Sequence, residues 1–275
     1  MIFHFNTMVK NEEDLLKVLL PIWKTYPIDK FVFYNDNSTD KTVEVIQTLL
    51  DKDRYIIFND KLNYFNESHN RSRMLEYSRE KEADFVFSID ADELLTSNFI
   101  NKFDKIIDVF KEKNLLLYWF NVVDGKINKI RQDPLYINNY RSFILPMKNT
   151  DKFNLQLWKY HTPRVPNVTL PTAMTKSVGV LHLQALNVRF YAIKQLWYKH
   201  FEYVTYQHSI EHINSKYDPV INNLIFNSTE ISDDLVSGID IDYKIYDTIL
   251  QKKGYLDFIY KHYNKDLITF GQQYF

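Results

Sequence analysis

Residues 85–93 read Phe-Val-Phe-Ser-Ile-Asp-Ala-Asp-Glu, and this segment is the most informative in the chain. Its largely apolar first half, rich in aromatic and β-branched side chains, predicts a buried strand. Three carboxylates crowded after a strand raise one another's pKa, and a divalent cation relieves that repulsion because hard oxygen ligands suit Mg²⁺ and Mn²⁺. Since open α/β sheets bind ligands at the carboxyl ends of strands, we predict a metal and diphosphate site at Asp90 and Asp92. The alternative is a solvated acidic turn before the next helix.

The bulk composition limits the class of protein. The chain has 275 residues, 45% of them hydrophobic, which predicts a main domain with a C-terminal elaboration. A net charge of -1 argues against nucleic acid as a partner, and the lack of cysteine excludes disulfides and zinc-thiolate sites. The N-terminus does not resemble a signal peptide, and the longest apolar run is too short to span a bilayer. We therefore expect a soluble, cytoplasmic protein with no transmembrane segment.

The first half of the chain alternates strand and helix patterns. Strands are predicted at residues 2–9, 30–35, 55–58 and 84–89. Helices are predicted at residues 12–25, from about 39 to 50, and 67–82. Short strands alternating with helices are typical of right-handed βαβ units, which predicts a parallel sheet.

The pattern changes after residue 96. A helix is predicted at 97–113, and the strands at 115–123 and 126–130 are joined through Asp124-Gly125, a strong hairpin signal. Residues 131–176 are irregular, 178–183 form a strand, and the rest is mostly helical. We therefore divide the chain into a catalytic domain at 1–185, with halves 1–95 and 96–185, and a helical C-terminal extension at 186–275.

Polar loops follow each of the first four predicted strands. They are residues 7–13, 35–42, 70–73 and 90–93. Because the carboxyl ends of parallel strands share one edge of a sheet, these loops together can form a nucleotide pocket. Taken singly, each has a simpler interpretation as a turn, a helix cap or a surface charge.

Together the loops resemble the glycosyltransferases of family 2, which have a GT-A fold. The resemblance covers residues 1–95 and implies an α/β, Rossmann-type nucleotide-binding sheet, with Asp36 at the nucleotide base. It also implies that Asp90 and Asp92 hold Mn²⁺ or Mg²⁺ against the diphosphate of a nucleotide-sugar donor. The donor-binding residues inferred in this way are Lys10, Asn11, Glu12, Asp36, Asn37, Arg71, Arg73, Asp90 and Ala91.

The helix before the metal-binding strand departs from the family pattern. Family members usually carry a neutral motif centred on Asn there, whereas this chain has Asn70-Arg71-Ser72-Arg73. An arginine can supply paired donors to phosphate oxygens. We therefore include Arg71 and Arg73 among the residues expected to bind the diphosphate.

His182 is the candidate for a third metal ligand. It lies in the predicted strand at 178–183, and GT-A enzymes often supply a late histidine to the metal. The alternative is a hydrogen-bonded core histidine. His161 is a weaker rival for a metal or phosphate contact.

The catalytic base has two candidates. An inverting transferase needs a carboxylate that deprotonates the acceptor hydroxyl. Asp133 and Asp151 both lie in the irregular region between the metal motif and His182. Asp133 is slightly favoured because it follows the hairpin directly, and the alternative for both is a solvated loop carboxylate.

The predicted function is thus metal-dependent transfer of a sugar from a nucleotide-sugar donor to the hydroxyl group of a glycan or other acceptor, with inversion. A dehalogenase-like phosphatase would place its Asp-x-Asp after the first strand, whereas here it follows the fourth. A nucleotidyltransferase would typically carry a glycine-rich loop after the first strand, and residues 7–13 contain no glycine. The other alternative is a catalytically inactive protein that binds a sugar nucleotide. A turnover assay with sugar nucleotides and Mn²⁺ would distinguish it from a glycosyltransferase.

Overall fold

The computed structural model describes residues 1–59, 66–133, 138–149, 164–166, 170–221 and 227–268. The strands of these residues are β1 (Phe3–Val9), β2 (Lys30–Asn35), β3 (Tyr55–Phe58), β4 (Phe85–Ser88), β5 (Glu93–Leu95), β6 (Asn114–Val123), β7 (Lys126–Arg131), β8 (Tyr140–Arg141), β9 (Ile144–Pro146), β10 (Thr172–His182) and β11 (Ser228–Glu230). The α-helices are α1 (Glu13–Trp23), α2 (Thr42–Leu49), α3 (Glu67–Glu80), α4 (Ser97–Asn101), α5 (Phe103–Glu112), α6 (Val188–Tyr206), α7 (Ile210–Ile221), α8 (Ile245–Lys252) and α9 (Tyr255–Lys261).

A five-stranded sheet in the order β3-β2-β1-β4-β9 organises the first half of the chain. The first four strands pair in parallel, as βαβ connections require, and β9 pairs with β4 in the antiparallel direction. Every residue of β4 is buried, as is typical of a central strand covered on both faces. Phe5, Phe31 and Trp23 pack together on one face of this sheet, with Phe5 4.9 Å from Trp23 between ring centroids.

Most predicted elements of the first half are confirmed to within two residues. The predicted helix at 97–113 is instead two helices, α4 and α5, which are separated at Lys102. The helical pattern after residue 243 likewise divides into α8 and α9, because Gly254 adopts a left-handed conformation with φ of 64°. The short strands β5 and β9 were not predicted, since three residues give too little periodicity to recognise.

The chain forms two compact units. The first comprises Met1–Phe120, Asn138–His182 and Ser232–Ile239, and the second comprises Asn121–Ile137, Leu183–Ile231 and Asp240–Phe275. Our division at residue 185 stays a prediction, because compact units of a folded chain do not reveal which segments fold alone.

A second sheet of the first unit places β10 between β6 and β5. The pairing of β10 with β5 is antiparallel and sets His182 opposite Glu93. Gly179 permits the close approach of β10 to β6, because a Cβ atom there would collide with the carbonyl oxygen of Tyr118. This register brings residues distant in sequence next to the Asp90–Glu93 turn.

The second unit contains the turn and the second strand of the predicted hairpin, together with the C-terminal helices α6 to α9. Asp124 and Gly125 both have positive φ values, 58° and 69°, as a two-residue type I′ turn requires. Its core includes Leu196 on α6 and Ile213 on α7, both fully buried. Within the described residues, no helix is both long and apolar enough to cross a membrane.

Candidate active site at the carboxyl edge of the first sheet

The carboxyl ends of three neighbouring strands bring the predicted loops together. β1 lies between β2 and β4, with Val9 paired with Asn35 and Asn6 paired with Ser88. Because these three strands are parallel, the loops after them leave the sheet at the same edge. The sequence-based expectation of one shared edge is therefore confirmed.

Asp36 is buried directly after β2. Its amide donates a hydrogen bond to the carbonyl oxygen of Val9 at 2.9 Å, which continues the β1–β2 ladder. Its Oδ2 lies 2.8 Å from Nζ of Lys10, whose side chain is 57% exposed. The buried carboxylate of Asp36 thus pairs with a cationic side chain that is largely exposed.

Asn11 and its neighbours join the first two loops to each other. The Asn11 amide donates to Oγ of Ser38 at 2.9 Å, and Asn11 Oδ1 accepts from the amide of Thr39 at 2.7 Å. Asn11 and Asn37 both have a φ of 54°, which asparagine tolerates better than most residues. The side chain of Asn11 therefore stabilises the loop scaffold, whatever it contacts in a donor.

Asp40 is a structural residue of this edge that the sequence did not single out. Its carboxylate accepts from the amide of Glu13 at 3.1 Å and from the amide of Thr42 at 2.9 Å, at the beginnings of α1 and α2. Oγ1 of Thr42 in turn accepts from the Glu12 amide at 2.7 Å. Amides at helix N-termini lack partners within the helix, so Asp40 and Thr42 stabilise both helix ends.

The carboxylate of Asp90 lies between two guanidinium groups. Oδ1 accepts from Nη2 of Arg71 at 3.1 Å, and Oδ2 accepts from Nη2 of Arg164 at 2.7 Å. Arg71 is itself held by Glu67 at 2.8 Å and by Ser88 at 3.2 Å. Burial alone would raise the pKa of Asp90, but the two arginines outweigh it and lower the pKa below its usual range.

The two arginines predicted on α3 point to different surroundings. Arg71 joins the carboxylates, whereas the guanidinium of Arg73 lies 4.9 Å from the ring centroid of Phe58 on β3. Sequence analysis did not identify Arg164, although it follows the candidate His161 closely in the sequence, because no local pattern indicates a hydrogen-bond partner 74 residues away. A role for either α3 arginine in binding phosphate stays a prediction.

Asp92 and His182 approach each other from the turn after β4 and the end of β10. Oδ2 of Asp92 lies 3.7 Å from Nε2 of His182. A cation with bonds of about 2.1 Å can reach both atoms, because it bridges a gap of up to about 4.2 Å, and the 90° angle of an octahedral site requires the two atoms to come about 0.7 Å closer. No group of three or more His, Cys, Asp or Glu side chains within the described ranges is placed to hold a metal. Two protein ligands suit Mg²⁺ or Mn²⁺ when phosphate oxygens and water complete the coordination. Both oxygens of Asp90, the third predicted ligand, already accept from arginines, and its role as a metal ligand stays a prediction.

Glu93, the third carboxylate of the turn, is fully buried. Its Oε1 accepts from Nε1 of Trp119 at 2.7 Å, and its Oε2 accepts from the Asp90 amide at 2.9 Å and from Nη1 of Arg164. Burial raises the pKa of Glu93, and the charge of Arg164 opposes that rise. Sequence analysis identified this glutamate without assigning it a role, and no local pattern indicated Trp119.

Ala91, the predicted donor-binding residue between the two aspartates, is also buried.

Of the two candidates for the catalytic base, Asp133 is the one within the described residues. Asp133 belongs to the second unit and is buried, with its Oδ2 accepting a hydrogen bond from Nε of Arg131. Nη1 of Arg131 also lies 3.3 Å from the hydroxyl oxygen of Tyr191. Asp151 and His161 lie outside the described residues. The choice of Asp133 or Asp151 therefore stays a prediction.

The chain resembles a known protein family in sequence and solved proteins in fold. The model of the family described as "Glycosyl transferase family 2" matches residues 6–170. The chain is similar to the crystal structure of S. aureus TarS 1-349, with 14% sequence identity and a TM-score of 0.50. The match covers 97% of this chain and 82% of that one. The crystal structure of S. aureus TarS is 13% identical, with a TM-score of 0.50 over 97% of this chain and 50% of that one. No curated protein matches the chain.

Proposed function

Because the chain belongs to glycosyl transferase family 2, we propose that it transfers a sugar from a nucleotide-sugar donor to an acceptor hydroxyl with the help of a divalent cation held by Asp92 and His182. Family membership confirms the resemblance recognised from the loop motifs, and the likeness to TarS confirms the GT-A fold. The observation that supports the cation most directly is the 3.7 Å separation of Asp92 Oδ2 and His182 Nε2 at the edge where the nucleotide loops meet.

The charges around the turn favour a cation as well. Within the described residues, the four carboxylates of Glu67, Asp90, Asp92 and Glu93 outnumber the two guanidinium groups that pair with them, those of Arg71 and Arg164. An excess of carboxylates in a partly buried site is costly, and a divalent cation offsets it. Mn²⁺ or Mg²⁺ suits the oxygen and imidazole ligands present.

The donor would lie along the carboxyl edge of the sheet. We place its base at Asp36, whose buried carboxylate can accept a hydrogen bond from a uracil or guanine N–H once Lys10 moves aside. The diphosphate would then lie toward Asp92 and His182. Arg71 and Arg164, already directed at Asp90, stand close enough in the fold to add positive charge near the leaving group.

The reaction needs stabilisation of the charge on the leaving diphosphate and a base that deprotonates the acceptor hydroxyl. Glycosyl transfer leaves negative charge on the departing diphosphate, and a bound cation supplies Lewis-acid stabilisation there. We propose inversion, with a carboxylate taking the acceptor proton, and Asp133 and Asp151 remain the candidates for it. The acceptor is a glycan or another hydroxyl compound.

The competing enzyme classes fit less well. A phosphatase of the dehalogenase type needs its nucleophilic aspartate after the first strand, and here β1 is followed by Lys10 and Asn11 while the aspartates follow β4. A nucleotidyltransferase typically carries a glycine-rich loop after that strand, and residues 7–13 have none. Neither class gains support from any contact described above.

The decisive experiment measures cation-dependent donor binding. Wild-type protein should bind UDP or GDP more tightly with Mn²⁺ than without it, which a thermal-shift assay detects because a ligand of the native state raises the melting temperature. Asp92→Asn should lose the Mn²⁺-dependent part of the shift while keeping the melting temperature of the ligand-free protein. Asp104→Asn, an exposed aspartate on α5, is the matched control and should behave as wild type. A full Mn²⁺-dependent shift in Asp92→Asn would remove the cation site from the proposal.

A further inference from the structure

The geometry points to Glu93 as the residue that positions the cation site, and this inference rests on the proposed function. We propose that Glu93 binds neither cation nor donor itself. Instead, it fixes the turn that carries Asp90 and Asp92 on one side and the imidazole of His182 on the other, through Trp119. It would thereby set the affinity of the site for its metal.

The first connection runs along the turn. Glu93 Oε2 accepts from the Asp90 amide at 2.9 Å, three residues back along the chain. The same oxygen accepts from Arg164, whose other terminal nitrogen lies 2.7 Å from Asp90 Oδ2. The buried side chain of Glu93 therefore holds the backbone of Asp90 directly and its carboxylate through Arg164.

The second connection crosses the second sheet. Trp119, His182 and Glu93 lie on three neighbouring strands, β6, β10 and β5, with His182 directly opposite Glu93. Directly opposed residues of an antiparallel pair project to the same face. The indole stacks on the imidazole, with ring centroids 4.3 Å apart and planes inclined by 26°, and its Nε1 donates to Glu93 Oε1 at 2.7 Å.

Trp119 thus restricts His182 only as long as its own ring is held. A tryptophan side chain turns about two bonds, and the hydrogen bond to Glu93 fixes its outer edge. The stacked indole then limits the orientations open to the imidazole, whose Nε2 faces Asp92. Groups that orient metal ligands in this way commonly change metal affinity about 10–100-fold when they are replaced.

The chemistry of Glu93 makes the inference testable with a small substitution. The three groups described on its carboxylate are all donors: the indole N–H, the Asp90 amide and the Arg164 guanidinium. In Glu93→Gln one oxygen becomes an NH₂ group, so a donor faces a donor wherever the amide points. Side-chain size is unchanged, so the packing around the site is preserved.

The test titrates the protein with Mn²⁺ alone and follows free Mn²⁺ by electron paramagnetic resonance. Glu93→Gln should weaken Mn²⁺ binding about 10–100-fold. Glu202→Gln, the same change at a buried glutamate of the second unit that binds Lys216 at 2.6 Å, should keep wild-type affinity. Equal affinity in wild type and Glu93→Gln would overturn the inference and leave the proposed function standing. If the wild type binds no Mn²⁺ alone, the same titration is repeated with UDP bound, and absence of Mn²⁺ binding there would overturn both.

A second variant keeps the test valid if Glu93→Gln folds poorly. Trp119→Phe retains an aromatic ring over His182 but removes the N–H that Glu93 accepts. It should also weaken Mn²⁺ binding, and the double variant should lose less than the product of the two single losses, because both changes break one connection. Losses that multiply in full would show that Glu93 does not act through Trp119.

An independent readout uses the indole N–H resonance of Trp119 in ¹⁵N-labelled protein, assigned by its absence in Trp119→Phe. Mn²⁺ should broaden this resonance, because the indole contacts His182. In metal-free Glu93→Gln its chemical shift should change, because the hydrogen bond to a carboxylate is lost. An unchanged shift would contradict the described contact and overturn the inference.

Discussion

Asp36 and Lys10 form an ion pair in which one partner is buried and the other largely exposed. Such a pair contributes little to stability, because the exposed charge is well solvated and its long side chain loses entropy when it is held. Lys10 can therefore leave at small cost when a ligand offers a better donor. If a nucleotide donor replaces Lys10 in this way, Asp36 contributes measurably to the affinity for the nucleotide.

Replacement of Asp36 by alanine should weaken nucleotide binding. A hydrogen bond from a base N–H to a carboxylate is worth about 1.5–3 kcal/mol, so Asp36→Ala should reduce the affinity for UDP or GDP by that amount in isothermal titration calorimetry. Asp51→Ala, an exposed residue just after α2, serves as the control. An unchanged affinity in Asp36→Ala would mean that the residue only shapes the turn.

At the scale of elements, α3 covers β1 through a buried polar contact. Nδ1 of His4 lies 3.0 Å from Oγ of Ser78, which also donates to the carbonyl oxygen of Met74 at 3.0 Å. Burial lowers the pKa of His4 to about 4, so the imidazole is neutral in the native state near neutral pH. The unfolded chain, in contrast, binds a proton at this residue near pH 6.5.

This difference predicts a loss of stability in acid. As the pH falls from about 6.5 to about 4, the unfolded state gains a proton that native His4 does not, which lowers the free energy of unfolding by at most about 3.4 kcal/mol. His4→Gln should flatten this part of the pH profile in denaturant unfolding. The exposed His212→Gln should keep the wild-type slope. If His4→Gln lost stability as steeply as wild type, another group would be responsible.

The elements also show what local sequence can and cannot predict. The strands and helices before residue 90 were recognised because each has its own hydrophobic period and polar ending, and the parallel order then set one common edge. Asp36, Asp90 and Asp92 were found because they end strands. Arg164 and Trp119 were not, since their contacts with Asp90 and Glu93 span 74 and 26 residues and depend on how separate segments fold together. The antiparallel strand β9 was missed because it lies in an irregular segment and ends in proline.

At the scale of the whole molecule, the described residues of the donor and cation site all belong to the first unit. Asp36, Arg71, Asp92, Arg164 and His182 lie within it, whereas Asp133 lies in the second. Donor binding should therefore stabilise the molecule unevenly. A bound ligand slows hydrogen exchange at amides whose local opening disrupts the binding site. It does not slow exchange at amides whose opening leaves the site intact.

Hydrogen exchange with UDP and Mn²⁺ should show this pattern. Protection should increase most in the segments after β1, β2 and β4, at residues 7–13, 35–42 and 90–95, while α7 and α8 in the second unit should change little. Asp92→Asn under the same conditions should lose the Mn²⁺-dependent share of the protection. A similar gain in both units would instead mean that these amides exchange by opening of the whole molecule. A gain confined to the second unit would contradict the placement of the donor, because no described residue that we assign to donor or cation binding lies there.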